Sequence, residues 1–376
     1  MNEIQEKQKA EAFLEKITQE INDQRNILKT ERLDMSFGEL MTMYKEGELK
    51  INPAFQRHFK WNNEQQTRFI ESLILGIPIP PIFVTETPYG DDNSVWEVLD
   101  ADGLQRLSTI LSFFGDLKSN DEKIKKKNNW VLQKGDRLSS IEGLKWIDLP
   151  QKIRFNIKKY ACRVEIIKWS GNYDMRFELF NRLNTGGTKL TPQEIRNAIY
   201  RDISPKFNDF LLKLAQNIEF QNLVALSEKE KSELYDQELI LRFLSLFKIG
   251  KKLNKSISQH MSTFMREALE NEKFDYENYE KIFNETIKIL LPLGKEIFRQ
   301  ENSVFATSLY DTIMLGVSEN INLYQNENSV NIIKDKINNQ IRQDKIFIKF
   351  SRRGGNNQFE RVRNRIKIAN EIFGKI

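Results

Sequence analysis

Between Trp96 and Phe114 the spacing of apolar residues changes from that of a strand to that of a helix. Val98-Leu-Asp100 closes an apolar run behind Trp96, the mark of a buried strand. Leu107, Ile110, Leu111 and Phe114 then recur at helical spacing, and Asp102-Gly103 between the two reads as a turn pair. A strand that enters a helix in so few residues gathers free backbone N–H groups and the positive end of a helix dipole at one spot, which suits an anion. Asp102, Gly103, Gln105 and Arg106 sit at that joint. Taken alone, the stretch reads equally as an ordinary turn with polar residues facing water.

Upstream, Gln5 to Thr30 lacks Gly and Pro and carries Phe13, Leu14, Ile17, Ile21 and Ile27 at helical spacing. This predicts an amphipathic helix, either covering the chain's own core or serving as a docking arm. Ser36-Phe-Gly-Glu39 predicts a capping box opening a short helix through Met43. Leu49 to Pro53 is extended, as the residue before proline requires. In Phe55-Gln-Arg-His-Phe-Lys-Trp61, Gln56 and Arg57 supply planar, multi-donor heads among aromatics. Arg57 has the geometry to clamp a phosphate, or to lie on the surface beside core rings. Asn62 predicts the cap of a helix that buries Phe69, Ile70, Leu73 and Ile74 and ends at Gly76. Pro78, Pro80 and Pro81 fix the entry of a strand running to Val84. Tyr89 to Ser94 is then a hairpin loop and Val95 to Leu99 the return strand.

Downstream, residues 116–150 read as a polar insertion with Lys123, Lys125, Lys126 and Lys127 ahead of Trp130. Lys126 beside that aromatic is a candidate nucleic-acid contact, with a solvated loop as the plain alternative. A helix edge follows from Ile153, then a strand from Cys162 to Ile167. In Phe180-Asn-Arg-Leu-Asn-Thr-Gly-Gly-Thr-Lys-Leu-Thr-Pro-Gln-Glu-Ile-Arg-Asn197, Gly186-Gly187 allows a nest of consecutive N–H donors, with Arg182, Asn184 and Arg196 around it. Thr191-Pro-Gln-Glu194 predicts a capped helix start. From about residue 203 the pattern is almost wholly helical. Its densest basic segment holds Arg352, Arg353, Arg361 and Arg365, with Arg361 and Arg365 one helical turn apart. A phosphate-contacting face and a solvated terminal helix both fit that spacing.

Residue counts remove several chemistries. Cys162 is the only cysteine, so an intrachain disulfide and a Cys-rich zinc site are excluded. His58 and His260 are the only histidines and stand far apart, so these residues do not encode an HNH-type nuclease or a paired-histidine zinc hydrolase. A carboxylate-only Mg²⁺ site stays open, because magnesium borrows substrate phosphates. The 58 Lys+Arg against 53 Asp+Glu leave +5, which permits a polyanionic partner without demanding one. The start Met1-Asn-Glu-Ile and the lack of an apolar run near 18 residues predict a cytoplasmic protein with no membrane partner.

Three segments occur together and in order: FQRHFKW with LGIPIPPIFV, then DGLQRLSTI, then FNRLNTGGTKLTPQEIRNA. Together they resemble the N-terminal, ParB-like domain of the GmrSD family of modification-dependent, type IV restriction proteins, over roughly residues 35–200. The resemblance implies an α+β chain: a ParB/sulfiredoxin-like domain with a small mixed sheet, followed by a mostly α-helical domain. The expected organisation is an N-terminal helix over 1–34, a nucleotide-binding domain over 35–200 and a helical domain with a basic tail over 201–376. It implies binding and hydrolysis of a nucleoside triphosphate, coupled to DNA sensing and to cleavage by an HNH-type nuclease. Carried over by position, Gln56 and Arg57 match the family's QR pair. Asp102, Gly103, Gln105 and Arg106 match its DGQQR box, and Arg182, Asn184 and Gly187 its R-x-N-x-x-G loop. Leu104 stands where the box has its first glutamine. Asp100 precedes it as an alternative strand-end acid.

The resulting expectation is a nucleotide-dependent DNA-sensing subunit of an antiphage restriction system, with the nuclease encoded separately and a homo-oligomer left open. In it Asp102, Gln105 and Arg106 carry the chemistry, Asp102 or Asp100 holding magnesium or orienting water. Gln56, Arg57, Asp100, Gly103, Arg182, Asn184, Gly186 and Gly187 hold the triphosphate. The alternatives are a non-catalytic nucleotide- or DNA-binding module and a stand-alone Mg²⁺-dependent DNA nickase.

Overall fold

The computed structural model describes residues 12–23, 28–51, 61–89, 93–99, 101–118, 122–169, 173–183, 190–201, 204–247, 253–300, 302–326, 328–351 and 358–375. The chain divides into two compact units, Met1–Leu190 and Thr191–Ile376. The boundary expected after residue 200 falls inside helix Pro192–Arg201, whose buried face belongs to the second unit.

The first unit is built on a five-stranded mixed sheet in the order β1-β5-β3-β4-β2. The strands are β1 Leu28–Ser36, β2 Leu49–Lys50, β3 Ile82–Tyr89, β4 Asn93–Val98 and β5 Ala161–Trp169. β5 lies antiparallel to β1 and parallel to β3, β3 is antiparallel to β4, and β4 is parallel to β2. Along β5 the buried Cys162, Val164 and Ile166 alternate with the solvent-side Arg163 and Glu165, the period of a sheet with one covered face. Ile82 and Val84 of β3 and Val98 of β4 extend this core, and helix Ala101–Phe114 packs on β3.

Local caps set the helix bounds as the sequence predicts. Ser36 and Glu39 form a reciprocal capping box on helix Phe37–Glu46. Asn62 and Gln65 do the same for Asn63–Leu75, which Gly76 ends in a left-handed conformation.

The N-terminus departs from the expected helix over 5–30. Residues 12–23 are helical, but the chain is already a strand from Leu28. From Leu28 to Ser36 the chain is taken into an antiparallel ladder with β5, and the charges pair across it. Arg32 reaches Glu165 at 3.0 Å and Asp34 reaches Arg163 at 3.1 Å across the β1–β5 pair, so residues that read as a solvated helix form a cross-strand charge ladder. The helix over 12–23 does not cover the core either: Phe13 is 63% exposed and Leu14 and Ile21 are also exposed.

The segment 116–150 is less of a polar insertion than expected. Leu117, Leu132, Ile141 and Leu149 are buried, and Trp130 packs on Phe113 at 5.0 Å between centroids. The buried carboxylate of Glu71 fixes this loop by accepting from the backbone N–H groups of Asp136, Arg137 and Leu138 at 3.1, 2.8 and 2.6 Å. A Cβ at Gly135 would stand 2.4 Å from Glu71 Oε1, so only glycine fits against that carboxylate. Glu71→Ala leaves three amides without their acceptor. It is expected to destabilise this unit by about 2 kcal/mol, read as faster hydrogen exchange at 135–138 and a lower first unfolding transition.

Among its described residues the second unit's regular elements are helices, with one isolated bridge between Arg299 and Phe305. Its predicted helices appear as Pro205–Ala215, Tyr235–Leu246, Tyr276–Leu290 and Thr307–Ser318. Helices Thr307–Ser318 and Phe359–Phe373 approach closely because Gly316 has no Cβ, which would stand 2.2 Å from the Phe373 ring. At the centre, Arg242 grips Asp311 in bidentate fashion at 2.5 and 2.8 Å, and Arg365 lies 3.6 Å from the same carboxylate. All three side chains are buried. No described helix is long and apolar enough to cross a membrane.

Candidate functional site

The strand-to-helix joint is tighter than its sequence suggests. β4 ends at Val98, the Leu99 N–H still donates to Phe83 O at 2.8 Å, and the helix has begun by Ala101. Asp102 and Gly103 therefore lie in the first helical turn and are not a free turn pair. First-turn N–H groups need no intrahelical partner, and an acid there is favoured by the helix dipole. Asp102 is half-buried, and Gly103, Leu104, Gln105 and Arg106 are buried. Asp100 lies outside the described residues.

Within this stretch the Gln105 and Arg106 side chains are engaged by the chain's own backbone. Gln105 Oε1 accepts from the Trp61 N–H at 3.1 Å. Trp61 in turn packs edge-on to Phe69, with centroids 5.7 Å apart. The end of the FQRHFKW segment is thus tied to the start of the DGLQR helix. Gln56 and Arg57 themselves lie outside the described residues.

Arg106 turns back on the chain. Its Nε donates to Asp102 O at 3.1 Å, one terminal nitrogen to Pro80 O, and the other to Pro81 O at 3.0 Å. Prolines have no N–H and cannot zip a strand entry into a ladder. The guanidinium holds that entry by its carbonyls, across the point where β3 begins. Leu104 is 3% exposed, so the departure from the family's glutamine falls on a core position.

The remaining candidates divide sharply. Arg182 is exposed at the end of helix Tyr173–Leu183 and pairs with Glu178 at 2.9 Å. Asn184, Gly186 and Gly187 lie outside the described residues. Thr191 and Glu194 cap helix Pro192–Arg201 as predicted, Thr191 N–H donating to the Glu194 carboxylate at 2.7 Å. Arg196 on that helix does not face a phosphate. It is fully buried, donates to Ser262 Oγ, Gln193 Oε1 and both oxygens of Ser258, and burial pushes its guanidinium below the usual range.

Lys126 is exposed beyond the short helix Glu122–Lys125, and Arg361 is half-buried on helix Phe359–Phe373. Arg365 points into the core and, being fully buried, offers no surface to a phosphate. With its neighbours at i+1, i+3 and i+4, Ile366, Ile368 and Ala369, it forms the buried stripe. Burial lowers its pKa to about 10, so it stays charged at neutral pH beside Asp311. Arg352 and Arg353 lie outside the described residues. Among the described residues no cluster of three or more His, Cys, Asp or Glu gathers as a metal site.

Sequence reasoning found the residue types here but missed two sets of partners. The carbonyls of Pro80 and Pro81 carry no side-chain signal, although three prolines before a strand mark a backbone that needs an outside donor. Glu71 gave no signal at all in the sequence, because its partners are backbone amides more than sixty residues away.

Residues 37–201 match the family model described as the GmrSD restriction endonuclease N-terminal domain. The resemblance carried by the three ordered motifs is therefore shown for this part of the chain, and the match runs past Leu190 into the first helix of the second unit. No curated protein and no solved structure matches the chain.

Proposed function

We propose that this chain, similar over residues 37–201 to the N-terminal domain of GmrSD restriction endonucleases, is the nucleotide-dependent, DNA-sensing part of a restriction system. Its first unit takes the ParB-like role, binding and hydrolysing a nucleoside triphosphate with Mg²⁺. The nuclease is a separate HNH-type protein.

The observation that carries the reading is the hydrogen bond from Trp61 N–H to Gln105 Oε1. It ties the end of one motif segment, at Trp61, to the start of another, at Gln105. Phosphoryl transfer asks for positioning and positive charge more than covalent chemistry. The donor set of Gln56, Arg57, Arg182, Asn184 and the Gly186-Gly187 amides fits a triphosphate in kind. Asp102 in the first helical turn is the carboxylate to hold magnesium or orient water. Gln105 and Arg106 act as positioning residues, because their polar atoms are engaged with the backbone of the chain itself. Bound Mg²⁺ would neutralise charge on the transferring phosphate.

Purified full-length chain is expected to release phosphate slowly from at least one of the four NTPs with Mg²⁺, and Arg57→Ala to reduce that rate by at least about tenfold. A chain that neither binds nor hydrolyses any of the four overturns the reading. Tight binding by calorimetry with no product would leave the non-catalytic module standing in its place. Nicking of supercoiled plasmid by the chain alone would favour the nickase.

A further inference from the structure

Helix Gln151–Lys159 carries Lys152, Arg154, Lys158 and Lys159 and no acid. At about 100° per residue, Lys152, Phe155, Lys158 and Lys159 fall on one side and Ile157 on the other. The structure agrees: those four are exposed and Ile157 is buried. Phe155 is 54% exposed at the middle of the face, and Lys159 Nζ sits 4.6 Å from its ring centroid.

Several cations on this unit's surface meet carboxylates, as in Lys45–Asp116 at 2.8 Å, Arg163–Asp34 at 3.1 Å and Lys168 between Glu31 and Glu86. Others, such as Lys126, Lys134 and Lys145, do not, but helix Gln151–Lys159 gathers three lysines on one face around an exposed ring. Lys152, Lys158 and Lys159 have no carboxylate partner among the described residues. Helix stability accounts for only part of the pattern. Lys158 and Lys159 in the last turn complement the dipole, but Lys152 stands in the first turn, at the positive end, where no acid offsets it. The Phe155–Lys159 pair, one turn apart, gives the helix some support, yet it leaves the ring 54% exposed.

We infer that this face binds a single-stranded nucleic-acid segment, the three lysines meeting successive phosphates and the Phe155 ring stacking under an unpaired base. Phosphate alone would need only the lysines, and an acidic protein would not need the flat ring. The aromatic among cations selects a strand with accessible bases over an intact duplex. The inference deepens the DNA-sensing reading and rests on it for the source of the strand. Binding needs no nucleotide.

The test is fluorescence anisotropy of the full chain, without NTP, against labelled oligothymidylate and a labelled duplex. The single strand is expected to bind more tightly than the duplex. K152E/K158E/K159E should weaken single-strand binding by at least about tenfold and flatten the log–log salt slope by about 2. K152Q/K158Q/K159Q should give a smaller loss in the same direction. Phe155→Ala should weaken binding by about fivefold or more with the salt slope unchanged. Absence of binding by the unaltered chain, or binding by the lysine variants equal to it, overturns the inference. An unaffected Phe155→Ala, or tighter binding to duplex, removes the stacked base and with it the single strand. Because no NTP is present, a chain that never hydrolyses a nucleotide leaves all of these readouts intact.

Discussion

Replacing Asp311 with alanine is expected to lower the stability of the helical unit by about 3–5 kcal/mol. The carboxylate takes two hydrogen bonds from Arg242 and stands 3.6 Å from Arg365, with all three side chains buried. Removing it leaves two guanidinium groups facing each other without their common counter-ion, in a place water does not reach. The cost is that of stranded charge more than of lost attraction. For a unit of this size about 3 kcal/mol corresponds to a fall of roughly 10 °C in the second unfolding transition. Two transitions are expected, one per unit, so calorimetry of the whole chain should show the first unmoved. Arg242→Met, Asp311→Leu and Arg365→Met together should recover most of the loss, because a buried ionic set exchanged for apolar side chains is often close to neutral. If Asp311→Ala moves the transition by less than about 2 °C, the triad is not buried as described.

That triad also shows where sequence reading stops. Helix caps were legible because each is complete within four residues: Ser36 with Glu39, Asn62 with Gln65, Thr191 with Glu194. The core stripes of the later helices were legible for the same reason. Arg365 was not. An arginine one turn from another in a basic tail reads as surface, and only Asp311, far away in sequence, makes it interior. β1 was lost likewise, since Glu31, Arg32 and Asp34 look helical until Arg163, Glu165 and Lys168 are seen opposite them. At the candidate site the residue types were readable and their partners were not. Gln105 and Arg106 read as ligands for something bound, yet their hydrogen bonds run to Trp61, Asp102, Pro80 and Pro81.

Arg106→Ala is the substitution that separates those two employments. As a backbone clamp, the guanidinium donates to Asp102 O in its own helix and to two proline carbonyls at the β3 entry, and its loss leaves those proline carbonyls without their donor. The first unit should then lose about 1–3 kcal/mol without any nucleotide present, the range for a hydrogen-bonded charged group lost from part-buried acceptors. Arg106→Lys should recover little, since one ammonium group cannot span the Asp102, Pro80 and Pro81 oxygens as a planar fork does. As a phosphate ligand, Arg106 would behave in the opposite way. The free chain would unfold at nearly the same temperature, and only the stabilisation given by added NTP would vanish, since a ligand raises stability by RT ln(1 + [L]/Kd) and a lost ligand contact raises Kd. Thermal unfolding with and without NTP therefore decides the matter in one experiment. The clamp predicts a lowered transition in both conditions and a retained nucleotide-induced shift. An unchanged transition without NTP, with that shift abolished, would move Arg106 from the fold to the triphosphate. The geometry favours the clamp: the guanidinium is buried and directed at backbone oxygens on both of its terminal nitrogens. Any fall in hydrolysis in Arg106→Ala should then track the loosened strand entry, and Arg57→Ala should reduce hydrolysis while leaving the free chain's stability unchanged.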